Sequence, residues 1–205
     1  MPVDYSLYLV TDRSVLQGRD IFKAVEEAIQ GGVTLVQLRE KEISSQDFYY
    51  LALKMKELVH CHGIPLIIND RLDIALAVDA DGLHIGQGDL PLPAVRSLLG
   101  PDKLLGYSVA SVAEAQYGQK HGADYLGAQP VFPTGSKLDL GEPLGNKGIA
   151  AIRHSVSIPV VGIGGIGPAN IAALKETGIE GVAVISAILG CPDIERAARD
   201  LRHNW

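Results

Sequence analysis

Apolar residues along the chain gather into eight short runs, and the stretches between several of them repeat their apolar positions with helical spacing. The runs are "SLYLV" (Ser6 to Val10), "VTLVQL" (Val33 to Leu38), "PLII" (Pro65 to Ile68) and "GLHI" (Gly82 to Ile85). They continue with "LLGYSV" (Leu104 to Val109), "DYLGAQ" (Asp124 to Gln129), "IPVVGI" (Ile158 to Ile163) and "GVAVIS" (Gly181 to Ser186). Their length and valine/isoleucine content predict buried parallel strands. Ile21, Ala24, Val25, Ala28 and Ile29 share one helical face, as do Phe48, Leu51, Ala52, Met55 and Val59. Gly31, Gly63 and Gly178 stand where helices should stop, and Pro168 near the start of another.

Eight strands, each followed by a helix, is the count of a (β/α)8 TIM barrel, and 205 residues lie near the short end of that fold. No low-complexity stretch or linker interrupts the pattern, so residues 1–205 are expected to form one α/β barrel domain. A doubly wound open sheet would place its glycine-rich turn after the first strand. Here "GIGGIG" (Gly162 to Gly167) follows the seventh run instead. The barrel is the better fit.

On that scaffold the unusual polar residues fall at the carboxyl ends of strands. Gln37, Arg39 and Lys41 end the second, Asn69 and Asp70 the third, and Asp89 follows the fourth. Ser108 ends the fifth, "VFPTGSKLDLG" (Val131 to Gly141) follows the sixth, Gly164 and Gly165 end the seventh, and Ser186 ends the eighth. A barrel brings all those ends to one rim, where barrel enzymes keep their chemistry.

Each cluster has two readings. Gln37, Arg39 and Lys41 alternate and so share one side of an extended segment: an anion clamp, or a solvated strand end ion-paired to Glu40 and Glu42. Asn69, Asp70 and Asp89 could cap the helices that follow. Alternatively Asp70 and Asp89, from adjacent strands, could face one another and hold Mg²⁺ with substrate phosphates. His84 between them reads as a hydrogen-bonded barrel residue. In "GIGGIGPAN" and "VISAILG" the glycines would let backbone N–H groups approach a phosphate, with Ser186 adding a hydroxyl at an expected helix N-terminus. The second-ranked reading is that Gly164 and Gly165 relieve crowding. Val131 to Gly141 offers hydroxyls and a lysine but hardly anything to bury.

Composition narrows the ligands. Hydrophobic residues make up 47% of the chain and the formal net charge is -6, which excludes the basic face that nucleic acids and anionic membranes require. Anionic small molecules must then be held by locally placed cations. Cys61 and Cys191 lack metal-ligand spacing and read as reduced thiols. With no leader and no run able to cross a bilayer, a soluble cytoplasmic protein is expected, compatible with a homo-oligomer.

From "YLVTDR" (Tyr8 to Arg13) to "GVAVISAI" (Gly181 to Ile188), the chain resembles the thiamine phosphate synthase family. The motifs that carry the resemblance are "QLREK", "INDR", "DGLHIGQGDLP", "GYSV", "GADYLGAQPVFPT" followed by "SK", "GIGGI" and "AVISAI". It implies an Mg²⁺-dependent transferase that condenses hydroxymethylpyrimidine diphosphate with hydroxyethylthiazole phosphate, releasing pyrophosphate by dissociative substitution. It further implies that Gln37, Leu38, Arg39, Glu40, Lys41, Asn69, Ser108 and Lys137 bind the pyrimidine diphosphate, and that Asp70 and Asp89 hold the metal. Thr134, Gly135, Ser136, Gly165, Ile185 and Ser186 would take the thiazole phosphate. Arg39, Lys41, Lys137 and Ser108 would carry catalysis.

The family usually reads Thr-Pro-Thr-Lys where this chain has Thr134-Gly135-Ser136-Lys137. The hydroxyl is kept, while glycine for proline raises the entropy lost on ordering the loop. Two rivals are a thiazole tautomerase on the same fold and a non-catalytic binder of pathway phosphates. The tautomerase would not need both aspartates, the clamp and the hydroxyl-lysine loop together. Lys137 would meet charge that grows as pyrophosphate departs, so its loss should act on kcat more than on binding. Steady-state kinetics of Lys137→Ala should show kcat reduced by roughly 10²–10³. A kcat within about threefold of wild type would instead mark a solvated loop lysine.

Overall fold

The computed structural model describes residues 3–134 and 141–205. The eight predicted strands all form: β1 (Leu7–Val10), β2 (Leu35–Leu38), β3 (Leu66–Asn69), β4 (Gly82–Ile85), β5 (Leu104–Val109), β6 (Tyr125–Ala128), β7 (Val160–Ile163) and β8 (Gly181–Val184). Every neighbouring pair is parallel, and β8 returns to β1, so the sheet closes on itself. Tyr8 stands opposite Leu35 of β2 on one side and Ala183 of β8 on the other. This is the (β/α)8 barrel that the sequence predicts.

Helices α1 (Arg13–Leu16) and α2 (Ile21–Gln30) follow β1, α3 (Ser45–Cys61) follows β2, α4 (Leu72–Ala77) β3, and α5 (Leu92–Leu99) β4. Helix α6 (Val112–Lys120) follows β5, α7 (Gly145–His154) β6, and α8 (Ile171–Leu174) with a 3-10 turn (Lys175–Thr177) follows β7. Helices α9 (Ser186–Leu189) and α10 (Ile194–Asn204) close the chain. Helix α2 shows the local logic. The Asp20 carboxylate accepts from the N–H groups of Phe22 and Lys23, both at 2.9 Å, and Gly31 ends the helix. Its Ile21, Ala24, Val25 and Ala28 turn inward, and α10 packs beside it. In α3 the buried residues are Phe48, Leu51, Ala52, Met55 and Val59, the face expected from their spacing. Each fully buried Val, Leu, Ile, Phe or Met side chain among these contributes about 1.5–3 kcal/mol relative to leaving it exposed.

The core has two parts. One lies between barrel and helices. The other fills the barrel itself with Tyr5, Tyr8, Val10, Leu35, Ile67, Tyr125, Val161 and Ala183. Room for the large inner residues comes from glycine. A methyl group on Gly106 would run into His84 Nδ1 and the Tyr125 ring and hydroxyl, and one on Gly127 would sit 3.0 Å from His84 Cε1.

Ser186 lies two residues past the end of β8 and opens α9, the helix start expected for it from the sequence. Val131 departs from expectation. The segment after β6 looked unburiable, yet Val131 is fully buried and Phe132 packs against the core. The N–H groups of Val131 and Phe132 bond the carbonyls of Ile163 and Gly164, both at 3.0 Å, which carries the β6–β7 pairing past the end of β6.

Overpacking tests the inner layer. Gly106→Ala should lower unfolding free energy by about 1–3 kcal/mol, read by denaturant titration. An unchanged midpoint would show that His84 and Tyr125 can move aside freely.

Candidate active site at the barrel rim

A cavity of about 1090 Å³ opens over the carboxyl ends of the strands. Gln37, Arg39, Lys41, Asn69, Asp70, Asp89, Ser108, Thr134, Gly165, Ile185 and Ser186 all line it. Leu38 and Glu40 alternate away. Leu38 is fully buried in the core outside the barrel, and Glu40 ion-pairs with Arg13. The expected roles of Gly135, Ser136 and Lys137 fall on residues outside those described.

The basic strand end is not paired along its own segment. Arg39 Nη1 reaches the Asp12 carboxylate at 2.8 Å, while Lys41 Nζ bonds the Asp70 carboxylate. The pairs with Glu40 and Glu42 that a merely solvated strand end would make are not the ones formed among the described residues. Instead β2 is tied to the loops after β1 and β3. The Arg39 N–H also donates to Thr11 Oγ1 at 2.9 Å, fixing where the clamp leaves the sheet.

The capping alternative for the acidic residues also falls away. Helix α4 begins after Arg71 and α5 after Pro91, neither with a side-chain cap bond. Asp70 takes a left-handed backbone conformation (φ 59°), uncommon for a residue with a Cβ. Its carboxylate accepts from Asn69 Nδ2 at 2.9 Å. Asp89 Oδ2 accepts from the Gly86 N–H at 2.7 Å, which folds its loop back over β4. Burial raises the Asp89 carboxyl from its ordinary value; the Gly86 bond opposes this and the Asp70 charge adds to it. The two carboxyls are therefore close enough to repel. Two hard oxygen donors with Lys41 beside them suit Mg²⁺, which usually takes one or two carboxylates and completes its shell with water and phosphate. That habit also accounts for the fact that no group of three or more acidic, histidine or cysteine ligands gathers anywhere among the described residues.

Across the rim, Gly164 (φ 102°) and Gly165 (φ 66°) both need left-handed backbone. A methyl group on Gly165 would also lie 2.5 Å from the Pro133 carbonyl oxygen and 2.8 Å from Phe132 Cβ. Crowding, the second-ranked reading, is thus real: these glycines let the loops after β6 and β7 touch. They line the cavity as well. Asn170 braces their loop, donating to the Gly165 carbonyl and accepting from the Gly167 N–H, each at 2.9 Å.

Below the rim, His84 bonds the Tyr125 hydroxyl through Nδ1 at 3.1 Å and Ser108 Oγ through Nε2 at 3.0 Å, as a hydrogen-bonded barrel residue should. The Tyr8 hydroxyl joins Tyr125 at 2.9 Å and accepts from Gln37 Nε2 at 2.7 Å. Tyr8, Tyr125 and Asp12 all line the cavity, and sequence reasoning did not single them out. The available signal was a hydroxyl-bearing ring inside two otherwise apolar strands.

Fold and site together define the class: a (β/α)8 barrel with its polar side chains converging on one rim cavity. Comparison makes the assignment specific. A family model described as thiamine monophosphate synthase matches residues 7–188, and the chain belongs to that family. A thiamine-phosphate synthase from Desulfitobacterium hafniense (strain Y51) is 59% identical over 205 residues, covering 100% of this chain and 99% of the relative. One from Syntrophomonas wolfei is 56% identical over 202 residues, covering 98% and 97%. The solved thiamine phosphate pyrophosphorylase from Pyrococcus furiosus superposes with a TM-score of 0.90 at 38% identity, covering 98% of this chain and 96% of that one.

The Asp89 shift has a consequence for stability. A carboxyl whose folded pKa is raised holds its proton more tightly when folded, so it costs stability as pH rises through that pKa. In the metal-free protein, Asp89→Asn should melt higher than wild type at neutral pH, with the gap closing as pH falls below the carboxylate range. A variant that melts lower at every pH would show the Asp89 charge to be stabilising.

Proposed function

We propose that the rim cavity joins a pyrimidine diphosphate to a thiazole phosphate. The chain is a transferase of thiamine biosynthesis: hydroxymethylpyrimidine diphosphate and hydroxyethylthiazole phosphate combine to thiamine phosphate with loss of pyrophosphate. The observation that carries the site assignment is the Asp70–Asp89 pair with Lys41 alongside, at the ends of neighbouring strands.

In this reading Asp70 and Asp89 would hold Mg²⁺, which would supply neutralisation of leaving-group charge. Arg39 and Lys41 face the diphosphate and exchange their carboxylate partners, Asp12 and Asp70, for its oxygens. Bond breaking leaves a positively charged pyrimidine methylene whose charge the electron-rich ring delocalises, so little general-base catalysis is needed. What the chain must provide is placement of the thiazole nitrogen in line with the departing group. The backbone around Gly165 and Ser186 does this by holding the thiazole phosphate, since no lysine or arginine occurs in 162–170 or 184–190. Thr134, which also lines the cavity, adds a hydroxyl. Free Cys61 and Cys191 support a reducing, cytoplasmic setting, and no helix among the described residues is long and apolar enough to cross a membrane.

Incubation with both substrates and Mg²⁺, followed by chromatographic detection of thiamine phosphate, tests the site. Chelation should abolish turnover, and Asp70→Ala combined with Asp89→Ala should cost roughly 10²-fold or more. Full turnover in either case would remove the metal from the mechanism. Isomerised thiazole without condensation would point to a tautomerase, and binding without product to a sensor.

A further inference from the structure

Five side chains cross the barrel interior in an unbroken line of hydrogen bonds: Gln37, Tyr8, Tyr125, His84 and Ser108. All but Ser108 are buried, and among the described residues no buried side-chain polar atom lacks a partner. Such a line has a direction. Each hydroxyl owns one proton, and the gap between two oxygens accommodates one. Gln37 directs its amide N–H at the Tyr8 oxygen, which leaves Tyr125 as the acceptor for the Tyr8 proton among the described residues. Tyr125 then sends its own proton to His84 Nδ1. With Nδ1 accepting, the ring proton sits on Nε2 and is donated to Ser108 Oγ. The Ser108 proton is left to point into the cavity. Burial pushes both tyrosines above their ordinary range, so neither gives up the proton that the line requires.

The geometry points to a positioning role for Tyr8, Tyr125 and His84: the Gln37 amide sets the His84 tautomer, and that tautomer aims the Ser108 hydroxyl as a donor at the pyrimidine diphosphate. This rests on the reading that Ser108 faces that substrate. Direction matters because the reversed line would have Ser108 donate into His84 and show only lone pairs to an anion. The Gly106 position, where a methyl would strike both His84 and Tyr125, keeps the two rings in register.

Nitrogen-15 NMR of the histidine-labelled protein, with His84 assigned by its loss in His84→Gln, reads the tautomer without any substrate. The expected result is a protonated Nε2 and a bare Nδ1. A protonated Nδ1, alone or in an imidazolium, overturns the inference whatever Ser108 does. Kinetics then test the consequence. Tyr125→Phe keeps the ring and cuts the line, and should lower kcat roughly tenfold with the pyrimidine KM within about twofold. In a Ser108→Ala background the same change should alter kcat by less than about twofold. Equal losses in both backgrounds would mean that Tyr125 acts through packing and would overturn the positioning role. An Nε2 proton together with wild-type turnover in Ser108→Ala would show that Ser108 does not face the substrate; the positioning role falls with it.

Discussion

Closure of the sheet between β1 and β8 is the constraint from which the rest follows. With eight parallel strands joined edge to edge, no strand can slip without breaking a pairing on each side, and all carboxyl ends share one rim. Residues far apart in sequence are thereby brought to a single cavity: Asp12 after β1, Asp89 after β4, Gly165 after β7. The ion pairs across the rim, Arg39 with Asp12 and Lys41 with Asp70, then join neighbouring strand ends. Without closure they would be scattered surface charges worth little.

Closure also crowds the interior, and the chain answers with unequal residue sizes. Gly106 and Gly127 make room for His84 and Tyr125, whose polar atoms must all be paired because the inner core holds little else that is polar. The same hydrogen bonds that satisfy those groups reach up to Gln37 and Ser108 at the cavity floor. Packing inside the barrel and the placement of those two side chains are therefore linked. A change made to relieve crowding in the middle of the barrel will be felt at the rim.

The acidic pair illustrates the opposite balance. Asp70 occupies a left-handed conformation and the Asp89 carboxyl is raised from its ordinary value by burial, with the Asp70 charge adding to it. Neither feature favours folding of the bare protein. Strained backbone and confined like charge commonly mark a site kept for a ligand, in keeping with the cation proposed for it. The glycine loop across the cavity is subtler. Gly164 and Gly165 are demanded by backbone angle, and Gly165 also by contact with Phe132 and Pro133, so the packing of the rim loops already requires glycine there.

The sequence by itself determined the barrel, because buried parallel strands must be apolar on both faces and their helices amphipathic, and both periods can be read locally. It also placed Gln37, Arg39, Lys41, Asn69, Asp70, Asp89 and Ser108 at the rim, since position at a strand's carboxyl end is a property of the chain. Family motifs supplied the reaction. Only the tertiary structure decided partners. That Lys41 pairs with Asp70 rather than Glu42, that Asp89 feels Asp70, and that Val131 is buried all depend on distances between separate strands. The Tyr8–Tyr125–His84 line was equally hidden, because a tyrosine in an apolar strand reads simply as core. Its hydroxyl gains a partner only when the barrel closes and places residue 125 against residue 8, 117 positions away.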